Sequence, residues 1–231
     1  MNERVLTFDC AETLIQVRWE PVELALDSAE AIGLSVDRVE AGSSYRRLLR
    51  RGWSEFCELN LTRDESQTNG FWERLTNEWL TDCGVGLEWS QPLITEANRR
   101  LFGPESTVFS LFEDTVPALD ALSAQGYRMA VLSNWDISLH KALRMFDLTK
   151  YFESAIASLE EGVEKPDPRI FEIALERMGT QPHHAVHIGD NPLDDLQGAR
   201  NAGMRGILVD RGHAASNEVI VKSLLDLPDV L

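Results

Sequence analysis

The sequence predicts a Rossmann-like α/β fold: a doubly wound parallel sheet with a mostly helical domain inserted after its first strand. Three observations support this prediction: short apolar runs that could be buried strands, helical patterns that alternate with the later runs, and a change of composition between the first run and the rest. A chain of 231 residues is long enough for a main domain with an insertion.

The predicted strands are short apolar runs, each ending in polar residues. They cover residues 5–8, 129–132, 155–158, 185–188 and 206–209. Helical patterns cover residues 116–124, 138–146, 168–178 and 194–202, and Gly179 and Gly203 are expected to end the last two. Because this alternation implies right-handed crossovers, ligands are expected beyond the carboxyl ends of the strands.

The stretch between the first strand and the others has a different composition. Helical periodicity prevails there, and it holds five of the six tryptophans. We therefore predict a sheet domain of residues 1–15 and 106–231 and a helical domain of residues 16–105. The tryptophans are expected to pack in its core rather than to form a ligand cage.

Four arginines fall close together in the predicted helical domain, in two adjacent columns of one helix: Arg46, Arg47, Arg50 and Arg51. Two interpretations are open. The cluster could steer an anionic substrate, or it could be a solvated face paired with neighbouring Glu and Asp. The second interpretation is favoured, because charge runs on helices are usually of that kind.

Charge and cysteine content narrow the functional classes. With 22 Lys and Arg against 38 Asp and Glu, the net charge is −16, which argues against a nucleic-acid partner. The three cysteines are an odd number without C-x-x-C spacing, which argues against a disulfide framework or a zinc site. No signal peptide or membrane span is recognisable. We expect a cytoplasmic protein that does not bind membranes.

Polar residues that could take part in catalysis or metal binding follow four of the five predicted strands. They are Asp9 with Thr13, Ser133 with Asn134, Lys165 in a Glu-Lys-Pro segment, and Asp190 with Asp194 and Asp195. In a doubly wound sheet these strand ends converge on one crevice, which makes chance an unconvincing explanation. The decisive expectation is that the Asp9 and Asp190 carboxylates lie within about 8 Å of each other, close enough to share a divalent ion.

These motifs resemble those of the haloacid dehalogenase superfamily, whose members are mostly phosphatases. The resemblance covers residues 5–14 and about 112–212: Phe-Asp-Cys-Ala-Glu-Thr-Leu, Val-Leu-Ser-Asn, Glu-Lys-Pro-Asp-Pro and Ile-Gly-Asp-Asn-Pro-Leu-Asp-Asp. The helical insertion is similar to the first type of cap domain in this family. The Ser-Asn-Trp-Asp segment resembles the subgroup named haloacid dehalogenase-like hydrolase domain-containing protein three.

The resemblance implies a site for a small phosphorylated molecule and Mg²⁺. Asp9 is implied as nucleophile and metal ligand, together with Asp190 and the Ala11 carbonyl, while Asp195 either binds the ion or supports it from behind. Lys165 is implied to neutralise Asp9 and the phosphoryl group. Further implied contacts to the phosphoryl oxygens come from the Ser133 hydroxyl and the Asn134 backbone amide.

The sequence departs from the family pattern directly after the nucleophile. The position of the second aspartate, which serves as general acid and base in typical family phosphatases, holds Ala11, and Glu12 stands where glycine is usual. Losing such a group is expected to cost about 10²- to 10⁴-fold in rate. Four alternatives stay open: acid assistance by Glu12, a substrate with a good leaving group, a weakened homologue that binds a phosphorylated ligand or a protein partner, and a 2-haloacid dehalogenase. The dehalogenases also lack the second aspartate, but their fourth motif typically reads Ser-Asn, and Gly189-Asp190 favours a metal site.

Less specific roles are open for the remaining polar residues. Thr13 has either a catalytic role or a turn-capping one, and Asp194 either begins a helix or supports the metal. His183, His184 and His187 are expected in packing and loop positions rather than as metal ligands.

Overall fold

The computed structural model describes residues 5–212 and 220–231 and divides the chain into two compact units, Met1–Val17 with Ser110–Leu231, and Arg18–Phe109. The strands and α-helices, in chain order, are β1 (Val5–Phe8), β2 (Ile15–Val17), α1 (Pro21–Ala31), α2 (Arg38–Leu61), α3 (Glu65–Asp82), α4 (Ser90–Phe102), β3 (Phe109–Leu111), α5 (Thr115–Ala124), β4 (Arg128–Ser133), α6 (Leu139–Met145), β5 (Ser154–Ala157), α7 (Ser158–Glu161), α8 (Pro168–Met178), β6 (Ala185–Gly189), α9 (Gly198–Asn201), β7 (Arg205–Val209), β8 (Ile220–Val221) and α10 (Leu227–Val230).

The first unit is built on a six-stranded parallel sheet with the order β5-β4-β1-β6-β7-β8. The strand order reverses direction at β1, whose neighbours are β4 and β6, so their carboxyl ends form one edge at the switch point. All five predicted strands are present, and the predicted α/β fold class is confirmed. β8 and the separate two-stranded sheet of β2 and β3 were not predicted from the sequence.

Burial explains why the strands read as continuous apolar runs. β1, β6 and nearly all of β4 are buried, as expected for a parallel sheet covered on both faces. On one face, Ile170, Phe171 and Ala174 of α8 pack with Leu132 and Ile156 of the sheet. α8 begins with Asp167 capping the Arg169 amide, and it ends at Gly179, whose φ of 58° suits glycine.

Two predicted elements differ from the structure. The segment predicted as a helix at residues 194–202 is instead a π-helical turn, Pro192–Gln197, followed by α9. The strand predicted at residues 155–158 ends one residue earlier, because Ser158 begins α7.

The second unit contains α1 to α4. Phe56 and Phe71 pack between α2 and α3, and Trp79 is fully buried, its Nε1 donating to the Ala41 carbonyl at 2.8 Å. Core packing therefore describes Trp79 but not Trp19 or Trp53, which are 43% and 47% exposed.

Two absences predicted from the sequence can be compared with the structure. No disulfide joins the three cysteines, all of which lie in the described residues. Within residues 5–212 and 220–231, no helix has the length and apolar character of a membrane span.

Candidate active site at the carboxyl edge of the sheet

The carboxyl ends of three adjacent strands bring the predicted residues together. Phe8 of β1 lies beside Val131 of β4 and Ile188 of β6, so Asp9 emerges between the ends of those strands. Ser133 ends β4, and Asp190 follows β6. One carboxylate oxygen from each of Asp9, Asp190 and Asp195 lies within 4.8 Å of the other two, well inside the 8 Å expected from the sequence.

Asp9 is held through one of its two oxygens. Its Oδ1 accepts a hydrogen bond from the Ser133 hydroxyl at 2.7 Å and lies 2.8 Å from Lys165 Nζ. Oδ2 accepts no hydrogen bond from the described residues. Asp9 as a whole residue is 7% exposed, so its side chain is buried and held through Oδ1 while Oδ2 keeps its lone pairs.

Lys165 is a buried cation between two carboxylates. Its Nζ lies 2.8 Å from Asp9 Oδ1 and 2.5 Å from Asp195 Oδ1. Burial by itself would lower the pKa of Lys165, but the two carboxylates outweigh it and raise the pKa above the ordinary value. The lysine therefore stays charged and offsets part of the negative charge of the site.

Asn134 fixes the backbone of Lys165. Its side-chain amide donates to the Lys165 carbonyl at 3.0 Å, and its Oδ1 accepts from the Lys165 amide at 2.8 Å. The sequence motif indicated a role only for the backbone amide of Asn134, and this reciprocal pair of side-chain hydrogen bonds was not predicted.

Asp190 lies in an environment with an excess of negative charge, which disfavours its ionised form. Burial, followed by repulsion from Asp9 and Asp195, raises the pKa of Asp190 to about 7. The Thr13 hydroxyl donates to Asp190 Oδ1 at 3.3 Å, so Thr13 contacts the acidic group rather than capping a turn through that hydroxyl.

Asp195 is held by donors on both oxygens. Oδ1 accepts from Lys165 and His187, the latter at 2.9 Å, and Oδ2 accepts from the Asn191 amide at 2.9 Å. Burial alone would raise the pKa of Asp195, but Lys165 and His187 lower it below the ordinary value. Because both oxygens already accept hydrogen bonds, Asp195 is better suited to positioning Lys165 than to serving as a full metal ligand.

His187 and Thr7 lie behind Asp195; the sequence pattern indicated only a packing position for His187 and no role for Thr7. His187 Nδ1 is 2.8 Å from the Thr7 hydroxyl, and its Nε2 faces Asp195. Because a carboxylate only accepts, Nε2 carries the proton and Thr7 donates to Nδ1 in the neutral ring. Thr7 and His187 are register partners in β1 and β6, so a polar pair inside two apolar runs was the available signal.

The loop after β6 depends on Gly189 and Asn191. A Cβ at Gly189 would lie 2.1 Å from Asp195 Cγ, so only glycine lets Asp195 approach the strand. Asn191 begins the π-helical turn by accepting from the amides of Leu193 and Asp194. The helix-capping role considered for Asp194 is therefore wrong: its Oδ2 accepts from the Asn191 side chain at 3.1 Å.

The departures Ala11 and Glu12 lie in the turn between Asp9 and Thr13. Glu12 has a φ of 56°, a conformation that favours glycine and explains why glycine is usual there. Its carboxylate accepts from the Val17 amide of β2 at 2.8 Å. This hydrogen bond holds Glu12 on the strand backbone, which argues against Glu12 as a substitute acid.

The three histidines occupy packing and loop positions, as expected. His183 and His184 form the turn before β6 with ring centroids 4.1 Å apart, and His187 is buried within β6. Among the described residues, the group with metal-ligand spacing contains aspartates and no histidine.

The residues of the site fit a hard divalent cation. Carboxylate oxygens are the protein ligands that Mg²⁺ prefers, and of the three carboxylates only those of Asp9 and Asp195 lie at ion-pair distance from Lys165 in the described structure. The raised pKa of Asp190 is the sign of negative charge that the described residues leave uncompensated.

Comparison with known proteins agrees with this geometry. A family model described as haloacid dehalogenase-like hydrolase matches residues 3–203. The chain belongs to the haloacid dehalogenase-like hydrolases. Haloacid dehalogenase-like hydrolase domain-containing protein 3 of Mus musculus is 30% identical over 211 residues, which cover 90% of this chain and 82% of the relative. The predicted resemblance to the family and this subgroup is confirmed.

Relatives named for two different reactions are also similar to the chain. A phosphoserine phosphatase of Thermus thermophilus is 33% identical over 162 residues, or 69% of this chain and 63% of that protein. The crystal structure of a 2-haloacid dehalogenase from Pseudomonas syringae pv. tomato DC3000 has a TM-score of 0.69 and 28% identity, covering 98% of this chain and 97% of that one. Family membership therefore establishes a hydrolase, while the reaction must be argued from the site.

Proposed function

We propose that this hydrolase is a Mg²⁺-dependent phosphatase that acts on a small phosphorylated molecule through an aspartyl-phosphate at Asp9. The observation that carries the proposal is the juxtaposition of Asp9 and Asp190 beside Lys165 in a site with uncompensated negative charge. A site that only displaces a halide needs no second acidic residue for a metal. Asp190 is therefore the residue that favours phosphate chemistry.

Asp9, Asp190 and the Ala11 carbonyl would hold the ion, with Asp195 behind it. When bound, Mg²⁺ supplies charge neutralisation between an anionic nucleophile and an anionic phosphate. Asp195 would support this arrangement and not bind the ion fully, because its oxygens already accept hydrogen bonds from Lys165, His187 and Asn191.

The residues of the chain account for the other steps. The Asp9 carboxylate attacks phosphorus, the bond from phosphorus to the ester oxygen breaks, and the leaving oxygen takes its proton from water. A second water then opens the acyl phosphate and restores Asp9, releasing inorganic phosphate. Ser133 and Lys165 hold the attacking Asp9 carboxylate and the phosphoryl oxygens, and Thr13 orients Asp190.

Ala11 sets the preferred type of substrate. With no acid at this position and Glu12 bonded to Val17, the leaving group must depart with little protonation. The leaving groups of aryl and acyl phosphates are weaker bases than those of alkyl phosphates. Aryl and acyl phosphates should therefore react faster than alkyl phosphates, by roughly the 10²- to 10⁴-fold that a general acid contributes.

The test is phosphate release from aryl, acyl and alkyl phosphates, with Mg²⁺ and with EDTA. We expect the wild-type protein to release phosphate from the aryl and acyl phosphates only when Mg²⁺ is present. The Asp9→Asn variant should release none. Turnover that survives EDTA or Asp9→Asn would count against the proposal. If an aspartate-directed phosphate mimic such as beryllofluoride binds and no phosphate ester is turned over, the weakened ligand-binding or protein-binding homologue is the better description.

A 2-haloacid dehalogenase is the second candidate, favoured by the similarity to the Pseudomonas syringae structure and by the missing second aspartate. Chloride release from 2-chloropropionate in EDTA distinguishes the two. A dehalogenase is active under these conditions, whereas the proposed phosphatase is not.

A further inference from the structure

The four clustered arginines of α2 fall into two differently used columns. Arg47 lies 2.5 Å from Asp82, and Arg51 pairs with Glu78, both on α3. Arg46 and Arg50, one turn apart, have no carboxylate at ion-pair distance within the described parts of the chain. The expected pairing with Glu and Asp therefore holds for one column and not for the other.

The unpaired column borders a cavity of about 480 Å³ within the helical unit. A volume of this size is typical of small-molecule sites. Apolar side chains from α1 and α2 complete its walls: Pro21, Val22, Leu49 and Trp53. Trp53 is 47% exposed and packs against Phe56, with the centroids of the two rings 5.5 Å apart. This contact holds an aromatic surface at the cavity.

We propose that this cavity binds a small organic anion, with a carboxylate or phosphate group on a planar apolar body. Each guanidinium has a planar set of donors that matches the oxygens of such groups, and Arg46 and Arg50 spend none of theirs on a protein carboxylate. Trp53 and Leu49 offer the surface for the apolar body. The site lies in the helical unit, so it does not depend on the phosphatase proposal.

Two acidic residues line the cavity, and their charges affect how strongly it binds an anion. Glu23 is bonded to Arg38 at 2.9 Å, whereas Glu20 makes no ion pair in the described structure. The unpaired Glu20 carboxylate repels an anion, so its removal should tighten binding. This expectation separates a charge-based site from adsorption of apolar compounds to Trp53.

The experiment is a titration of the full chain followed by the indole N–H signals of its six tryptophans. The probes are benzoate, phenylphosphonate and inorganic phosphate. Benzoate and phenylphosphonate contain no phosphate ester, so neither can be consumed if the protein is a phosphatase. Trp53→Phe assigns the signal of Trp53, and the Trp79 signal serves as an internal control because that ring is buried.

We expect benzoate and phenylphosphonate to shift the Trp53 signal with saturation and inorganic phosphate to bind more weakly. Arg46→Gln with Arg50→Gln should weaken binding at least about tenfold, the loss of charge-assisted hydrogen bonds. Arg47→Gln with Arg51→Gln, the matched control on the paired column, should change it less than about threefold, and Glu20→Gln should strengthen it.

Three results would overturn the proposal. They are no saturable shift at Trp53, equal binding by the Arg46/Arg50 variant and the wild type, and equal weakening by the two double variants. If inorganic phosphate binds as tightly as phenylphosphonate, the apolar half of the proposal is wrong. Thermal unfolding of each variant verifies that the helical unit is folded.

Discussion

Replacing Lys165 by Met tests whether the buried cation holds the site together. The change preserves side-chain length but leaves Asp9 and Asp195 without their shared positive charge. The side chains of Lys165, Asp9 and Asp195 are 2%, 9% and 1% exposed, so solvent cannot replace the lost partner. Removing one member of a buried ion pair typically costs about 3–5 kcal/mol.

We expect Lys165→Met to lower the free energy of unfolding by about 3–5 kcal/mol in EDTA at neutral pH, near the upper end because one lysine serves two carboxylates. Ser133 and His187 still donate to those carboxylates, which prevents a larger loss. The loss should shrink in Mg²⁺, since the ion neutralises the same groups.

The assay is urea unfolding of wild type, Lys165→Met and Lys150→Met. Lys150 is the matched control because its Nζ lies 2.7 Å from Asp147 but both side chains are exposed, and exposed pairs contribute little. If Lys165→Met loses no more stability than Lys150→Met, the argument from burial is refuted. A loss that does not respond to Mg²⁺ would contradict only the metal part of the argument.

Three further predictions concern the same edge of the sheet. The folded-state pKa of Asp190, about 7, lies above its ordinary value of 3.8, so ionisation of Asp190 should remove stability from the metal-free protein as pH rises from about 4 through 7. Asp190→Asn should flatten that decline in a pH series of melting temperatures in EDTA, and an unchanged slope would contradict the assignment. Ala11→Asp should raise kcat/KM for alkyl phosphates by at least about tenfold, with aryl phosphates changed less; no gain would place the deficit elsewhere. Gly189→Ala should destabilise the fold by more than about 2 kcal/mol, because a Cβ 2.1 Å from Asp195 Cγ forces that carboxylate away from Lys165, and wild-type stability would show that the loop can shift.

The boundary between sequence and structure is clear in the loop after β6. Alternation of apolar runs and helical patterns predicted the sheet and its strand ends, and the acidic residues after residue 189 indicated a site. The same segment was predicted as a regular helix, whereas Asn191 begins a π-helical turn. Sequence periodicity could not detect this, because the turn depends on the close fit of Asp195 against Gly189.

The sequence by itself determined the fold class, the converging strand ends and the departure at Ala11, because each depends on local pattern or residue identity. Only the tertiary structure decided that His187 and Thr7 support Asp195, that Asn134 clamps Lys165, and that Arg47 is paired while Arg46 is not. These outcomes depend on which groups approach within hydrogen-bonding distance across elements far apart in the chain. Distances of that kind are set by packing, which no local pattern of residues encodes.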